Sequence, residues 1–138
     1  MKRKLLCSCG RKSAAIILVL ACASAQARVT DADAVRAIIG EAANQGNRGM
    51  LAVACAIRNR DKAGASPLAG VYGLQARHVD HEPAWVWARA RAAWIRSATA
   101  DITAGATHWE NTAAFGVPYW ARTMTATVTV GNHRFFKP

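Results

Sequence analysis

The chain has 138 residues, 18 basic against eight acidic, for a net charge of +10, and four cysteines. That length accommodates one domain and excludes a second of ordinary size. The charge at face value suggests a polyanionic partner such as nucleic acid, but its distribution along the chain changes that reading.

Residues 1–12 carry Lys2, Arg3, Lys4, Arg11 and Lys12 and no acid. An apolar run, AAIILVLACA, follows at 14–23 and is too short to span a bilayer as a mature helix. Ala25-Gln26-Ala27 then offers a small-residue cleavage site. The three parts together predict a signal peptide over 1–27 and export to the periplasm or cell envelope. Val19-Leu20-Ala21-Cys22 loosely resembles a lipobox, an alternative exit that would leave a lipid on Cys22 and a peripheral hold on the membrane. Cleavage after Ala27 leaves 138 − 27 = 111 residues, 28–138, with 13 basic against eight acidic side chains and a charge of +5. A basic domain of that size suits an envelope polyanion, or carries its charge for solubility alone. Cys7, Cys9 and Cys22 leave with the leader. Cys55 stays alone in LAVACAI, where it reads as a small core residue, so the mature chain has no cysteine pair for a disulfide and no cysteine cluster for zinc.

In the mature part, residues 31–45 read as a helix. Thr30-Asp31-Ala32-Asp33 resembles a capping box, Val35, Ile38, Ile39 and Ala42 form the apolar stripe, and Gly46-Asn47 breaks the pattern. A second helix is expected at about 48–60, with Met50, Val53, Ala54 and Ile57 as its apolar face. The short turn between the two predicts an antiparallel pair. Residues 61–83 read as loop, punctuated by Gly64, Pro67, Gly70, Gly73 and Pro83. A third helix runs from Pro83 to about Ala100, with Trp87, Ala90 and Trp94 on a core face and Arg89, Arg91 and Arg96 elsewhere. Residues 103–120 show no period. Met124 to Val130 alternates apolar residues with Thr, Gly131-Asn132 marks a turn, and His133 to Phe136 returns as a short strand. The fold class is α+β, mostly helical with a small C-terminal antiparallel β element.

Glu41 is the first candidate for chemistry. It lies three residues past Ile38, about 60° off the apolar stripe. A carboxyl at such an edge is partly desolvated yet reachable, the setting in which a general acid keeps its proton. Position alone favours a solvated surface residue. His78, Asp80, His81 and Glu82 invite a metal reading, but adjacent loop residues do not make a closed four-ligand site, and a solvated loop is expected. No metal and no cofactor is implied.

Three segments, in order, carry a resemblance. They are Ile39-Gly40-Glu41-Ala42 with Gly49-Met50-Leu51-Ala52-Val53-Ala54 and Ile57-Arg58-Asn59-Arg60; Gly105-Ala106-Thr107-His108-Trp109-Glu110-Asn111; and Trp120, Met124 and Gly131-Asn132-His133-Arg134-Phe135-Phe136. Together they resemble the SleB-type cell wall hydrolase family over most of the mature chain. The chain departs from that family after the second helix. A Gln-Phe pair is usual there, whereas Val71-Tyr72-Gly73-Leu74-Gln75-Ala76 has no aromatic after Gln75.

The resemblance implies a small lysozyme-like domain that cleaves the bond between N-acetylmuramic acid and N-acetylglucosamine in peptidoglycan glycan strands. It places the catalytic carboxyl on Glu41. One carboxyl suffices for a lytic transglycosylase, where the muramic C6 hydroxyl is the nucleophile. Hydrolysis normally needs a second carboxylate, for which Glu110 is the candidate. His108 and Asn111 are candidates to bond acetamide and hydroxyl groups. Tyr72, Trp109, Tyr119 and Trp120 are candidates to stack on sugars, each also fit for the core. His133 is placed either at the substrate or as a tie between the terminal hairpin and the Thr-His segment.

The alternatives are a muramidase-type hydrolase, a non-catalytic exported wall-binding protein, and an exported basic protein that binds nucleic acid or is antimicrobial. The modest mature charge and the lack of a nucleic-acid motif argue against the last. A monomer is expected.

Overall fold

The structure, a computed structural model, describes residues 28–138. The expected leader at 1–27 and the lipid site at Cys22 lie outside the described residues. Within them the chain is a small α+β domain, mostly helical, with a three-stranded antiparallel sheet toward its C-terminal end.

Helix α1 covers Asp31–Ala42. Thr30 caps it: its Oγ1 accepts from the Asp33 N–H at 3.1 Å and donates to Asp33 Oδ2 at 2.8 Å. The helix stops three residues earlier than its periodicity suggested. Residues Ala43–Gln45 tighten into a 3₁₀ turn, and Gly46, at φ +67°, opens the next helix.

Helix α2, Gly46–Lys62, packs against α1 and is longer than expected. Every residue from Gly49 to Ile57 is buried, so α2 is enclosed on all sides rather than along one face. Ala52, Ala54, Ala56 and Cys55 keep it slim enough for that. The Cys55 thiol donates to the Ala100 carbonyl at 3.1 Å, and burial pushes its pKa up.

Helix α3, Ala84–Arg96, closes the helical layer against both others. Trp94 is buried, its Nε1–H donating to Asp31 Oδ1 at 2.7 Å and its ring lying 3.7 Å from the Arg58 guanidinium. Trp87 is half-buried against the same core. The helix ends four residues short of the expected Ala100. Among the described residues, no helix is long and apolar enough to cross a membrane.

The segment 63–83 that follows α2 is built of turns that dock on α1. Two are 3₁₀, Tyr72–Gln75 and Arg77–His81. Arg36 holds them in place: its Nε–H donates to the Leu74 carbonyl at 2.8 Å, and it pairs with Asp80 at 2.6 Å.

The aperiodic stretch contains a strand that the sequence reading missed. Strand β1, His108–Glu110, pairs with β3, His133–Lys137, which also pairs with β2, Thr125–Val130. The sheet order is β1-β3-β2. A one-residue irregularity in β2 between Ala126 and Thr129 bends the hairpin. A short helix, α4 at Thr112–Phe115, and a 3₁₀ turn at Tyr119–Thr123 connect β1 to β2.

Candidate active site

The last turn of α1 meets the 72–75 turn at an unusually close distance. A Cβ on Gly40 would stand 2.0 Å from the Gly73 carbonyl oxygen, and one on Gly73 would stand 2.7 Å from Glu41 Cγ. Only two glycines permit this approach. Its result is that the Gly73 N–H donates to Glu41 Oε1 at 2.7 Å. The other oxygen, Oε2, accepts from Trp109 Nε1–H at 3.2 Å. Glu41 is thus half-buried and gripped from two sides, one grip per oxygen. Each oxygen keeps a second lone pair, so a proton can sit on the carboxyl without breaking either bond.

The Asn59-Arg60 pair at the end of α2 holds the wall opposite. Asn59 Nδ2 donates to the Ala106 carbonyl at 3.0 Å and reaches Asp101 and Thr103. Asp101 in turn accepts from the N–H groups of Thr103 and Gly105, both at 2.8 Å. Burial alone would raise the Asp101 carboxyl, but the bonds from Thr103, Gly105 and Asn59 outweigh it and hold its pKa below the ordinary value. They also fix a loop in which Ala104 takes φ +54°. Arg60 donates to the Thr107 carbonyl and, at 2.9 Å, to that of Ala69. Its guanidinium lies 4.8 Å from the Trp109 ring centre. Burial lowers the Arg60 pKa and the Glu41 charge offsets part of that. A guanidinium so placed stays charged.

These contacts shape an open cleft of about 1030 Å³. Eight of the nine residues singled out in the sequence line it: Glu41, Tyr72, His108, Trp109, Glu110, Asn111, Trp120 and His133. They arrive from four places: the end of α1, the 72–75 turn, the β1 region, and the sheet with its connection. Their roles differ. Tyr72 is 88% exposed, a free ring at the rim. Trp120 packs 5.5 Å from both the His108 and Phe136 rings and is still open to solvent. Trp109 is committed to the protein, with Arg60 over its ring and Glu41 on its N–H, so it orients the carboxyl more than it offers a stacking face. Tyr119 is exposed but does not line the cleft.

His108 Nδ1 lies 2.9 Å from Thr107 Oγ1, and burial together with the Arg60 charge lowers its pKa. Glu110 Oε1 accepts from the Asn111 N–H at 2.9 Å. Asn111 caps α4 through its side-chain oxygen, which accepts from the Ala114 N–H. His133 is buried, and its Nδ1 has no hydrogen-bond partner among the described residues. The tie between the hairpin and the Thr-His segment is made by backbone instead, with the Thr107 N–H donating to the Phe136 carbonyl at 3.0 Å. The His78–Glu82 group does not converge on one point: Asp80 turns to Arg36.

Sequence reasoning missed Arg60, Gly40 and Gly73 as parts of the site. Arg60 and Gly40 stood inside the quoted motifs, which was the available signal. Gly73 had none, because its role exists only once the turn meets α1. No family model, curated protein or solved structure matches this chain.

The two histidines give the fold a pH dependence of definite sign. Burial lowers the His133 pKa against the opposing pull of Glu41 and Glu110, and the His108 pKa is lowered as well. The unfolded chain therefore binds these protons more readily than the folded one. Stability is full above about pH 6.5, the ordinary histidine value, and falls as pH drops toward the depressed folded values. Thermal unfolding at pH 7.5 and pH 5 should show a lower midpoint at pH 5, with a smaller difference in His133→Gln. Equal midpoints in the parent protein would contradict this assignment.

Proposed function

We propose that this protein is an exported peptidoglycan-cleaving enzyme, a lytic transglycosylase with Glu41 as its single catalytic carboxyl. The observation that carries the reading is the two-sided hold on Glu41 inside an open, aromatic-rimmed cleft. The resemblance of the Gly-Glu-Ala, Gly-Ala-Thr-His and Gly-Asn-His segments to the SleB-type cell wall hydrolases supports it, as does the leader pattern at 1–27.

The chemistry follows from one carboxyl used twice. Protonated Glu41 gives its proton to the glycosidic oxygen as the bond from that oxygen to muramic C1 breaks. The N-acetylglucosamine side leaves as an alcohol. The Glu41 carboxylate then takes the proton of the muramic C6 hydroxyl as that oxygen bonds to C1. A 1,6-anhydro ring closes and the acid is restored, with no water consumed. Gly73 N–H and Trp109 Nε1–H keep the carboxyl in one orientation through both transfers. Glu110 lines the cleft with one oxygen accepting from the Asn111 N–H, and this route does not call on it as a nucleophile. Tyr72 and Trp120 would meet the sugar faces, and His108 and Asn111 its acetamide and hydroxyl groups. The protein would act on the glycan as a monomer, without metal or cofactor.

Mass spectrometry of digested peptidoglycan tests this directly. Anhydro-muropeptides are expected. Reducing ends would replace the transglycosylase with a muramidase, and the absence of any product would replace the enzyme with a wall-binding protein.

A further inference from the structure

A second cavity, about 450 Å³, adjoins the cleft. The two share Gly40, Glu41, Asn111 and His133 in their walls. The second is completed by Asn44, by His78 and by Trp85 in the first turn of α3. Glu41 therefore stands on the boundary between two spaces rather than at the end of one.

Trp85 is the unusual member. Its indole is 56% exposed in a domain that buries Trp94 and half-buries Trp87 on the same helix. It sits on a rigid element, and the Arg89 guanidinium lies 4.7 Å from its ring centre, which restrains the ring's position. An exposed, preoriented indole beside amide and imidazole groups is a surface for a ligand with one apolar face and a polar edge. A pyranose has that character.

We infer that the second cavity is a sugar subsite with Trp85 as its stacking platform, so that the glycan strand crosses Glu41 and is held on both sides of the bond to be cleaved. This rests on the function proposed above, since a strand cut at Glu41 must extend both ways from it. Trp120 and Tyr72 serve the residues in the main cleft. Trp85 serves those beyond, with Asn44 and Asn111 within the same cavity for acetamide and hydroxyl groups.

The test uses glycan strands freed of their peptides, titrated into ¹⁵N-labelled Glu41→Gln protein so that the strand is not consumed. The indole N–H signals are followed, with that of Trp85 assigned by its loss in Trp85→Phe. Both the Trp85 and Trp120 signals should shift. A shift at Trp120 with none at Trp85 overturns the subsite and leaves the enzyme reading standing. No shift at any indole overturns both. In the same background, Trp85→Ala should weaken strand binding about tenfold, the scale of one lost aromatic contact, without lowering thermal stability. Unchanged affinity would also reject the subsite.

Discussion

Replacing Glu41 by Gln is expected to cut the release of soluble muropeptides by roughly 10³-fold or more, the scale for a group that serves as both acid and base. The substitution is close to isosteric, so the cleft keeps its shape. It also has a structural signature of its own. A carboxylate accepts on both oxygens, and Glu41 uses one for Gly73 and one for Trp109. An amide offers one acceptor, so one of those donors must lose its partner. A half-buried donor left unpaired costs up to about 1–3 kcal/mol, which predicts a lower melting temperature beside the large fall in rate. Glu41→Asp tests the position rather than the charge. Its carboxyl is one methylene shorter and withdraws from both donors, so it should be far slower than the parent yet measurably faster than Gln. Turnover by Glu41→Gln at the parent rate would remove Glu41 from the mechanism.

The second large effect is expected at a residue with no chemistry. Gly40→Ala places a methyl 2.0 Å from the Gly73 oxygen and 2.5 Å from its Cα and carbonyl carbon. All three are backbone atoms, so no side chain can rotate away. Either α1 shifts or the 72–75 turn lifts. Overpacking of this kind costs about 1–3 kcal/mol and occasionally more. For a domain near 100 residues, each kcal/mol moves the melting temperature by about 4–8 °C, so a drop of roughly 4–24 °C is expected. Activity should fall further than stability accounts for, even at temperatures where the variant is folded, because the displaced turn carries the Gly73 N–H away from Glu41. A Gly40→Ala protein with parent stability would mean that the helix and turn do not meet this closely.

Much of the helical layer was legible because its determinants are local. Thr30 and Asp33 announce the start of α1 within four residues, and the apolar stripe placed Glu41 at its edge, where it is found half-buried. The enclosure of α2 was less legible. A run such as LAVACAI reads as one apolar face, whereas its encirclement depends on α1, α3 and the sheet all arriving. Strand β1 was invisible for a related reason. His108–Glu110 is too short for a period, and all three residues are half-buried, so nothing in them alternates. Its pairing partner lies some 25 residues on. The site divides in the same way. Glu41 and His108 were read from their motifs, Arg60 and Gly40 were passed over inside theirs, and those defined by approach, Gly73 and Trp85, were not read at all. Trp85 lies off the Trp87–Ala90–Trp94 stripe, and a position off the stripe is silent about what it faces.

The sheet order has a consequence for how the cleft behaves over time. Among the described strands β1 pairs with β3 alone, and β3 also brings His133 into the cleft wall. Trp109, which holds one oxygen of Glu41, rides on β1. A fluctuation that lifts β3 thus releases the Thr107–Phe136 bond, withdraws His133 and loosens the Trp109 grip together. The cleft wall and the hairpin thus form one cooperative unit, and because Phe135 of β3 is fully buried in the core shared with α1 and α2, lifting that unit uncovers the helical layer as well.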